Sequence, residues 1–353
     1  MYRLLVINPG STSTKLAVYE DEEKVFQESV THSMEELAPF EKIADQLDYR
    51  MAKIRPALER SGFKPSDFDV IMARGGILPP LKTGGYIVND DMLWQLKNKP
   101  AGEHASNLGA LIADEIGRAD GVPAYIYDAV CADDIPDKIR YTGLPEMKRR
   151  GTGHNLNIRA TAMKYAADRG KTLKDVSIIV VHMGGGASAA VFKDGIRQDM
   201  INNNDGPIAP ERSGALPLDE VIAAVTKDPQ GFKKKLRTAS GIMGYLGTNN
   251  VLEVERRMYA GDEYAKEIYD AMIMTVAKCV GKLAVVVAGD VEAIVLTGGI
   301  AHNKYYVNKM SELVSFIAPV VAYPGEDEMR SLAMGGLRIL KGEEGYNVFE
   351  RVE

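Results

Sequence analysis

Two stretches of this chain share one pattern, and that pattern limits the folds open to it. Leu4-Leu5-Val6-Ile7 is a short apolar run of the kind that forms a buried strand; the polar turn Asn8-Pro9-Gly10-Ser11-Thr12-Ser13-Thr14-Lys15 follows, and Leu16-Ala17-Val18-Tyr19 reads as a second strand. The same order returns in the other half. Ser177-Ile178-Ile179-Val180-Val181 leads into His182-Met183-Gly184-Gly185-Gly186-Ala187-Ser188 and out through Ala189-Ala190-Val191-Phe192, and Asp194-Gly195 then supplies hairpin-turn chemistry. A P-loop runs from its glycines into a helix, whereas these turns run into β structure, and Gly-x-x-x-x-Gly-Lys is absent. Two strand-turn-strand cradles imply duplicated halves.

A second element recurs. Val70-Ile71-Met72-Ala73 precedes Arg74-Gly75-Gly76, and Ala293-Ile294-Val295-Leu296 precedes Thr297-Gly298-Gly299. Between the strands, helical periodicity marks 37–60, 105–118, 158–167, 218–226, 263–287 and 304–317, so strands and helices alternate as in α/β proteins. At 353 residues the chain exceeds the size of one ordinary core, which favours two domains with a cleft between them. The Pro-, Gly-, Lys- and Arg-rich stretch 136–155 is the expected link, giving an N-terminal domain over 1–150 and a C-terminal domain over 151–328. A helix from Met329 to Leu340 is expected to carry the last residues, about 329–353, back onto the first domain.

The formal charge of -6 offers no general attraction for nucleic acid or anionic lipid, so an anion site must be built locally. The two cysteines, Cys131 and Cys279, have neither metal-ligand nor redox spacing, which fits core packing in a reducing compartment. No apolar run reaches membrane-spanning length and the N-terminal run is too short for a signal segment. A cytoplasmic protein without nucleic-acid or membrane partners is expected.

Phosphoryl transfer asks for positioning and positive charge around the moving group. Asn8, Gly10, Ser11, Thr12 and Ser13 offer amides and hydroxyls to phosphate oxygens from one turn, and Gly184, Gly185 and Gly186 let the backbone approach from the other. Each turn alone is more often an ordinary hairpin; two at equivalent positions favour phosphate. Arg74 ends a buried strand and Arg212 lies in the irregular loop Ala209-Pro210-Glu211-Arg212-Ser213-Gly214, so both are candidates to grip a phosphoryl group, with a surface ion pair as the alternative for Arg74. Asp128 ends the strand Ala124-Tyr125-Ile126-Tyr127, where a carboxylate serves a metal, a substrate or a helix cap. Glu328 either holds Mg²⁺ or complements the dipole of the last helix. His104, His154 and His182 stand near turns or strand ends, where a structural hydrogen bond is the commoner use.

Together these residues resemble the acetate and butyrate kinase family, within the superfamily of sugar kinases, Hsp70 and actin, over almost the whole chain. The carriers are Asn8-Pro9-Gly10-Ser11-Thr12-Ser13-Thr14-Lys15, similar to the family's Asn-x-Gly-Ser-x-Ser-x-Lys; His182-Met183-Gly184-Gly185-Gly186-Ala187-Ser188, similar to His-Leu-Gly-x-Gly-x-Ser; and Thr297-Gly298-Gly299-Ile300, similar to an adenosine-contacting Thr-Gly-Gly-Ile turn. The resemblance implies two duplicated actin-like, ribonuclease H-like domains around a central nucleotide cleft. It places Asn8, Ser11 and Ser13 by phosphate and metal, Asn8 and Glu328 at Mg²⁺, Asp128 near the phosphoryl group, and Arg212 on phosphoryl and carboxylate.

Departures from the pattern are equally specific. Arg74 serves as the second arginine only across a local deletion, His104 lacks the proline of the family's His-Asn-Pro-x-Asn-Leu, and Arg149-Arg150 replaces a Phe-His before Gly151-Thr152-Gly153-His154. His154 is therefore uncertain and His182 is the stronger phosphoryl contact. These features, with Ala73-Arg74-Gly75-Gly76 and Asn202-Asn203-Asn204-Asp205-Gly206-Pro207, lie nearer the butyrate and branched-chain carboxylate kinases. The resemblance then implies a homodimeric kinase that uses ATP and Mg²⁺ to phosphorylate butyrate and other short linear or branched fatty acids. Acetate or propionate kinase, a sugar or polyol kinase, and a non-enzymatic ATP switch are the alternatives.

Overall fold

In the computed structural model, residues 1–352 are described, with Arg237 described in its backbone only. The chain divides into two compact units, Met1–Asp134 with Asp327–Glu353, and Ile135–Glu326. Along the chain the first unit contributes strands β1 (Arg3–Pro9), β2 (Ser13–Glu20), β3 (Glu23–Thr31), β4 (Val70–Arg74), β5 (Gly85–Ile87) and β6 (Ala124–Tyr127), and helices α1 (Met34–Leu37), α2 (Leu47–Arg60), α3 (Asp90–Asn98) and α4 (Leu108–Gly117). The second contributes β7 (Ile178–Met183), β8 (Ala187–Lys193), β9 (Ile196–Ile201), β10 (Ala293–Gly298) and β11 (Val320–Pro324). Its helices are α5 (Asp137–Arg140), α6 (Asn155–Ala167), α7 (Leu218–Lys227), α8 (Pro229–Thr238), α9 (Ile242–Leu246), α10 (Val251–Tyr259), α11 (Glu263–Val286) and α12 (Lys304–Val314). The chain then returns to the first unit with α13 (Glu328–Leu340) and β12 (Tyr346–Val348).

The duplication read from the motifs holds at the level of topology. The first sheet runs β12-β5-β6-β4-β1-β2-β3 and the second β11-β10-β7-β8-β9. In each, an antiparallel meander (β1-β2-β3; β7-β8-β9) is extended by a strand parallel to its first member (β4; β10) and by another parallel to that (β6; β11). β1 and β7 are therefore central strands, which is why their side chains are buried on both faces and read as unbroken apolar runs. Asp194 and Gly195 both have positive φ, 57° and 77°, as a tight hairpin turn between β8 and β9 requires.

Core packing explains where the sequence reading departs from the structure. The expected link at 136–155 belongs to the second unit: Ile135 is buried with Ile158 and Ala162, and Arg149 pairs with Asp199 at 3.2 Å and Asp205 at 2.9 Å, so the boundary falls at 134/135. The helix expected over 37–60 starts at Leu47, after α1 and a single 3₁₀ turn over Ile43–Gln46. Strands β3, β5, β9, β11 and β12 and helices α3, α5, α8, α9 and α10 are additions. Both cysteines are buried, and among the described residues no helix is long and apolar enough to cross a membrane.

The last helix is seated by two small residues. A Cβ on Gly336 would stand 2.7 Å from Leu4 and Met72, and one on Gly335 2.8 Å from the Tyr127 ring, so α13 lies directly on β1, β4 and β6. That close seat sets where its first residue, Glu328, emerges.

Candidate active site

In an open α/β sheet ligands gather beyond the carboxyl ends of the parallel strands. In the first unit those ends carry Asn8 (β1), Arg74 (β4) and Asp128, just past β6. The Glu328 carboxylate accepts a 2.6 Å hydrogen bond from Asn8 Nδ2, a residue 320 positions away, and lies 3.0 Å from Arg74 Nη1. A carboxylate only accepts, so the Asn8 amide must turn its nitrogen to Glu328. Asn8 Oδ1 is left buried with no hydrogen-bond partner.

His104 belongs to the same group. Its Nδ1 accepts from the Ser106 amide at 3.2 Å, with the Ser106 hydroxyl at 2.7 Å, which leaves the proton on Nε2. Burial, and then the neighbouring Arg74, lower its pKa, while Glu328 acts in the opposite sense. Asp128 also anchors local structure. It sits at φ 41°, its Oδ1 accepts from Gly84 N at 2.7 Å, and its own N–H returns a bond to Gly84 O, so the carboxylate anchors the turn into β5.

The Gly10–Ser13 turn rests on a residue the sequence reading misses. Arg50 of α2 is wholly buried and donates to Gly10 O at 2.8 Å, Ser11 O at 3.2 Å, Ser13 O at 3.4 Å and Thr14 Oγ1 at 3.2 Å. Its signal was helical spacing: Arg50, Ile54 and Ala57 share one face, and the last two are core residues. His32 is also buried, 2.9 Å from Thr14 Oγ1, and burial with Arg50 and Lys53 nearby pushes its pKa down to about 4.

In the second unit the ends of β7 and β10 carry His182 and Thr297, which are register partners. Asn157 of α6 joins them, donating to His182 Nδ1 at 2.8 Å and to Thr297 Oγ1 at 3.3 Å, so His182 too bears its proton on Nε2. His154 stacks on His182 with ring centroids 4.0 Å apart, and its Nδ1 lies 2.8 Å from Ser188 Oγ. Burial, and then His154, hold the His182 pKa well below the imidazole range, so its 3.8 Å approach to Glu326 is not an ion pair. Asn157 lay outside the sequence reading, and Ser188 entered it only as the last residue of the His182–Ser188 motif; their polar contacts depend on α6 and β8 meeting at β7.

Gly184, Gly185 and Gly186 form the β7–β8 turn, and Glu211 N donates to Gly185 O at 2.9 Å. The structure thereby brings the Arg212 loop against the glycine turn. Arg212 itself is exposed, and its Nη1 donates to Glu211 O at 2.8 Å. Ile300, which follows Gly298 and Gly299, is buried. A surface cavity of about 290 Å³ in the first unit, lined by Asn89, Asp114, Arg118 and Ala124, opens at the amino end of β6, the end opposite Asp128.

Burial of neutral imidazoles has a pH consequence. The unfolded chain binds protons at His32, His104 and His182 at pH values where the folded chain does not, so the stability these histidines contribute is full above about pH 6.5 and is lost as pH falls, for His32 down to about 4. For His32 alone this amounts to about 3 kcal/mol across that window. Urea melts of His32→Gln between those limits are expected to show a correspondingly shallower pH dependence; an unchanged slope would contradict the assignment.

The fold is that of the acetate and propionate kinases: acetate kinase of Porphyromonas gingivalis superposes with a TM-score of 0.80 over 96% of this chain and 100% of that one, at 18% identity. At the level of sequence, the profile of the acetokinase family matches residues 143–317. Butyrate kinase 1 of Clostridium acetobutylicum is 43% identical over 98% of both chains, and probable butyrate kinase 2 of Caldanaerobacter subterraneus subsp. tengcongensis is 41% identical over 99% of this chain and 100% of its own. The chain belongs to the acetokinase family.

Proposed function

We propose that this protein is an ATP-dependent carboxylate kinase that converts butyrate, and similar short linear or branched fatty acids, into acyl phosphates. One observation carries the reading beyond kinship: the hydrogen-bonded chain Asn8–Glu328–Arg74 sets an oxygen with free lone pairs and a guanidinium side by side, while the nearby histidine is neutral and offers a donor. A hydroxyl acceptor, as in a sugar kinase, needs a base. A carboxylate is already ionised at neutral pH and needs none.

Asn8 Oδ1 is the kind of oxygen a hard cation takes, and Glu328 is its neighbour. Among the described residues no group of three or more His, Cys, Asp or Glu gathers as a metal cage, which suits a cation that arrives on nucleotide phosphates. Mg²⁺ held by Asn8 and Glu328 would supply charge neutralisation for those phosphates.

The carboxylate oxygen attacks the γ-phosphorus in line; the new O–P bond forms as the bond to the β–γ bridging oxygen breaks, and ADP leaves with that electron pair. Arg74 and Arg212 spread the charge on the equatorial oxygens, and His104 and His182 each offer Nε2–H as a neutral donor. The turns at Gly10–Ser13, Gly184–Gly186 and Thr297–Ile300 hold the nucleotide. A cytoplasmic homodimer is part of the same proposal.

Hydroxylamine trapping of the product tests it. With Mg-ATP, hydroxamate is expected from butyrate, isobutyrate, valerate and isovalerate with only modest differences, because one buried methylene is worth about 0.8 kcal/mol. An acetate optimum would reassign the substrate, and ADP release with glycerol or glucose in place of hydroxamate would sink the carboxylate reading.

A further inference from the structure

Arg50 has no counterpart among the expected site residues, and its surroundings are unusual for a buried cation. Its guanidinium is fully buried. Nη1 donates to Gly10 O, Ser13 O and Thr14 Oγ1, while Nη2 donates to Ser11 O and, with Nε, to Gln46 Oε1 at 2.9 and 3.1 Å. Every acceptor is neutral; among the described residues no carboxylate bonds or ion-pairs with it. Burial correspondingly lowers its pKa. A buried charge ordinarily carries a counter-charge, since an unpaired one costs several kcal/mol.

The turn above it is polarised as a result. Four successive carbonyls are tied down: Gly10 O and Ser11 O by Arg50, Thr12 O by the His32 amide at 2.8 Å, and Ser13 O by Gly10 N at 2.7 Å and by Arg50. Among the described residues the amides of Ser11 and Thr12 have no acceptor, and both residues are exposed. Carbonyls held inward over a cation and amides left open to solvent make an anion cradle whose missing counter-charge is the ligand.

We infer that Arg50 is a positioning residue for the nucleotide phosphates: it never touches them, but fixes the Gly10–Ser13 carbonyls and places an uncompensated positive charge beneath the turn. The inference rests on reading that turn as a phosphate cradle. It predicts that Arg50 acts on nucleotide affinity and not on the acid.

Titration calorimetry with MgADP, beside steady-state kinetics, separates the cases. Arg50→Gln is expected to raise the MgADP Kd and the KM for MgATP about 10- to 100-fold and to leave the carboxylate KM within about 2-fold, with Arg50→Lys between it and the native protein. A folded Arg50→Gln whose MgADP Kd stays within about 2-fold, or whose carboxylate KM rises in step with that for MgATP, overturns the inference. Should Arg50→Gln fail to fold, Gln46→Ala, which frees one side of the guanidinium without touching the turn, is expected to raise the KM for MgATP several-fold; no change there overturns it equally. Native protein that forms no acyl hydroxamate, yet loses MgADP affinity on Arg50→Gln, would remove the carboxylate-kinase reading and leave the role of Arg50 standing.

Discussion

Arg74→Ala is expected to lower kcat about 10²- to 10³-fold, the loss typical when one preorganised donor to a transition-state oxyanion is removed. The argument starts from position. Arg74 is the last residue of β4, and the strand before it is buried, so its backbone is fixed while its guanidinium stands beside Glu328 at 3.0 Å. The pair is about one-quarter exposed on each side, so breaking it should cost the fold only about 0–1 kcal/mol. A large fall in kcat with a nearly unchanged melting temperature is therefore the signature. Arg74→Lys should recover little of it, because an ammonium cannot present two parallel donors to a phosphoryl group. Near-native turnover by Arg74→Ala at saturating substrate would move the phosphoryl contact elsewhere and leave Arg74 as the partner of Glu328 alone.

What the sequence made legible was local. The turns at Asn8–Lys15 and His182–Ser188 announce themselves because glycine and small hydroxyl residues interrupt strands that are otherwise wholly apolar, and the repetition of the pattern exposed the duplication before any topology was known. Local pattern left the long-range contacts illegible, and only the family resemblance put Asn8 and Glu328 together. Glu328 reads as a first-turn carboxylate of a helix, which it is, and nothing in its neighbours announces that the Gly335–Gly336 seat delivers it to Asn8 and Arg74. Arg50 reads as a solvated arginine until the buried positions Ile54 and Ala57 show that it shares their face. Asn157 was hidden differently: its partners, His182 and Thr297, become neighbours only when β7 and β10 pair. The domain boundary missed for a related reason. Pro-, Gly- and charge-rich composition marks a surface segment, but Ile135 and Arg149 tie that surface to one particular core.

The β7–β10 pairing also separates two glycines that the motif treats alike. Gly298 has φ 87°, and a Cβ there would stand 2.3 Å from Met183 O and 2.8 Å from Met183 C, backbone atoms that cannot step aside. Gly299 has no positive φ, and a Cβ on it meets nothing within 4 Å. Gly298→Ala must therefore bear both the left-handed backbone cost and a backbone clash, about 3 kcal/mol or more together, and Gly299→Ala should stay within about 1 kcal/mol of the native protein. The consequence of the first substitution reaches the site, since Gly298 also exchanges two backbone hydrogen bonds with Gly325 and follows Thr297, whose hydroxyl shares Asn157 with His182. Pushing β10 off Met183 parts that shared contact at the mouth of the Gly184–Gly186 turn. Denaturant melts and MgADP titration of the two alanine variants, run side by side, should show Gly298→Ala losing both stability and nucleotide affinity while Gly299→Ala keeps its stability. Equal tolerance at both positions would mean that β7 and β10 do not approach as closely there as the fold requires, and with it would fall the joining of His182 to Thr297.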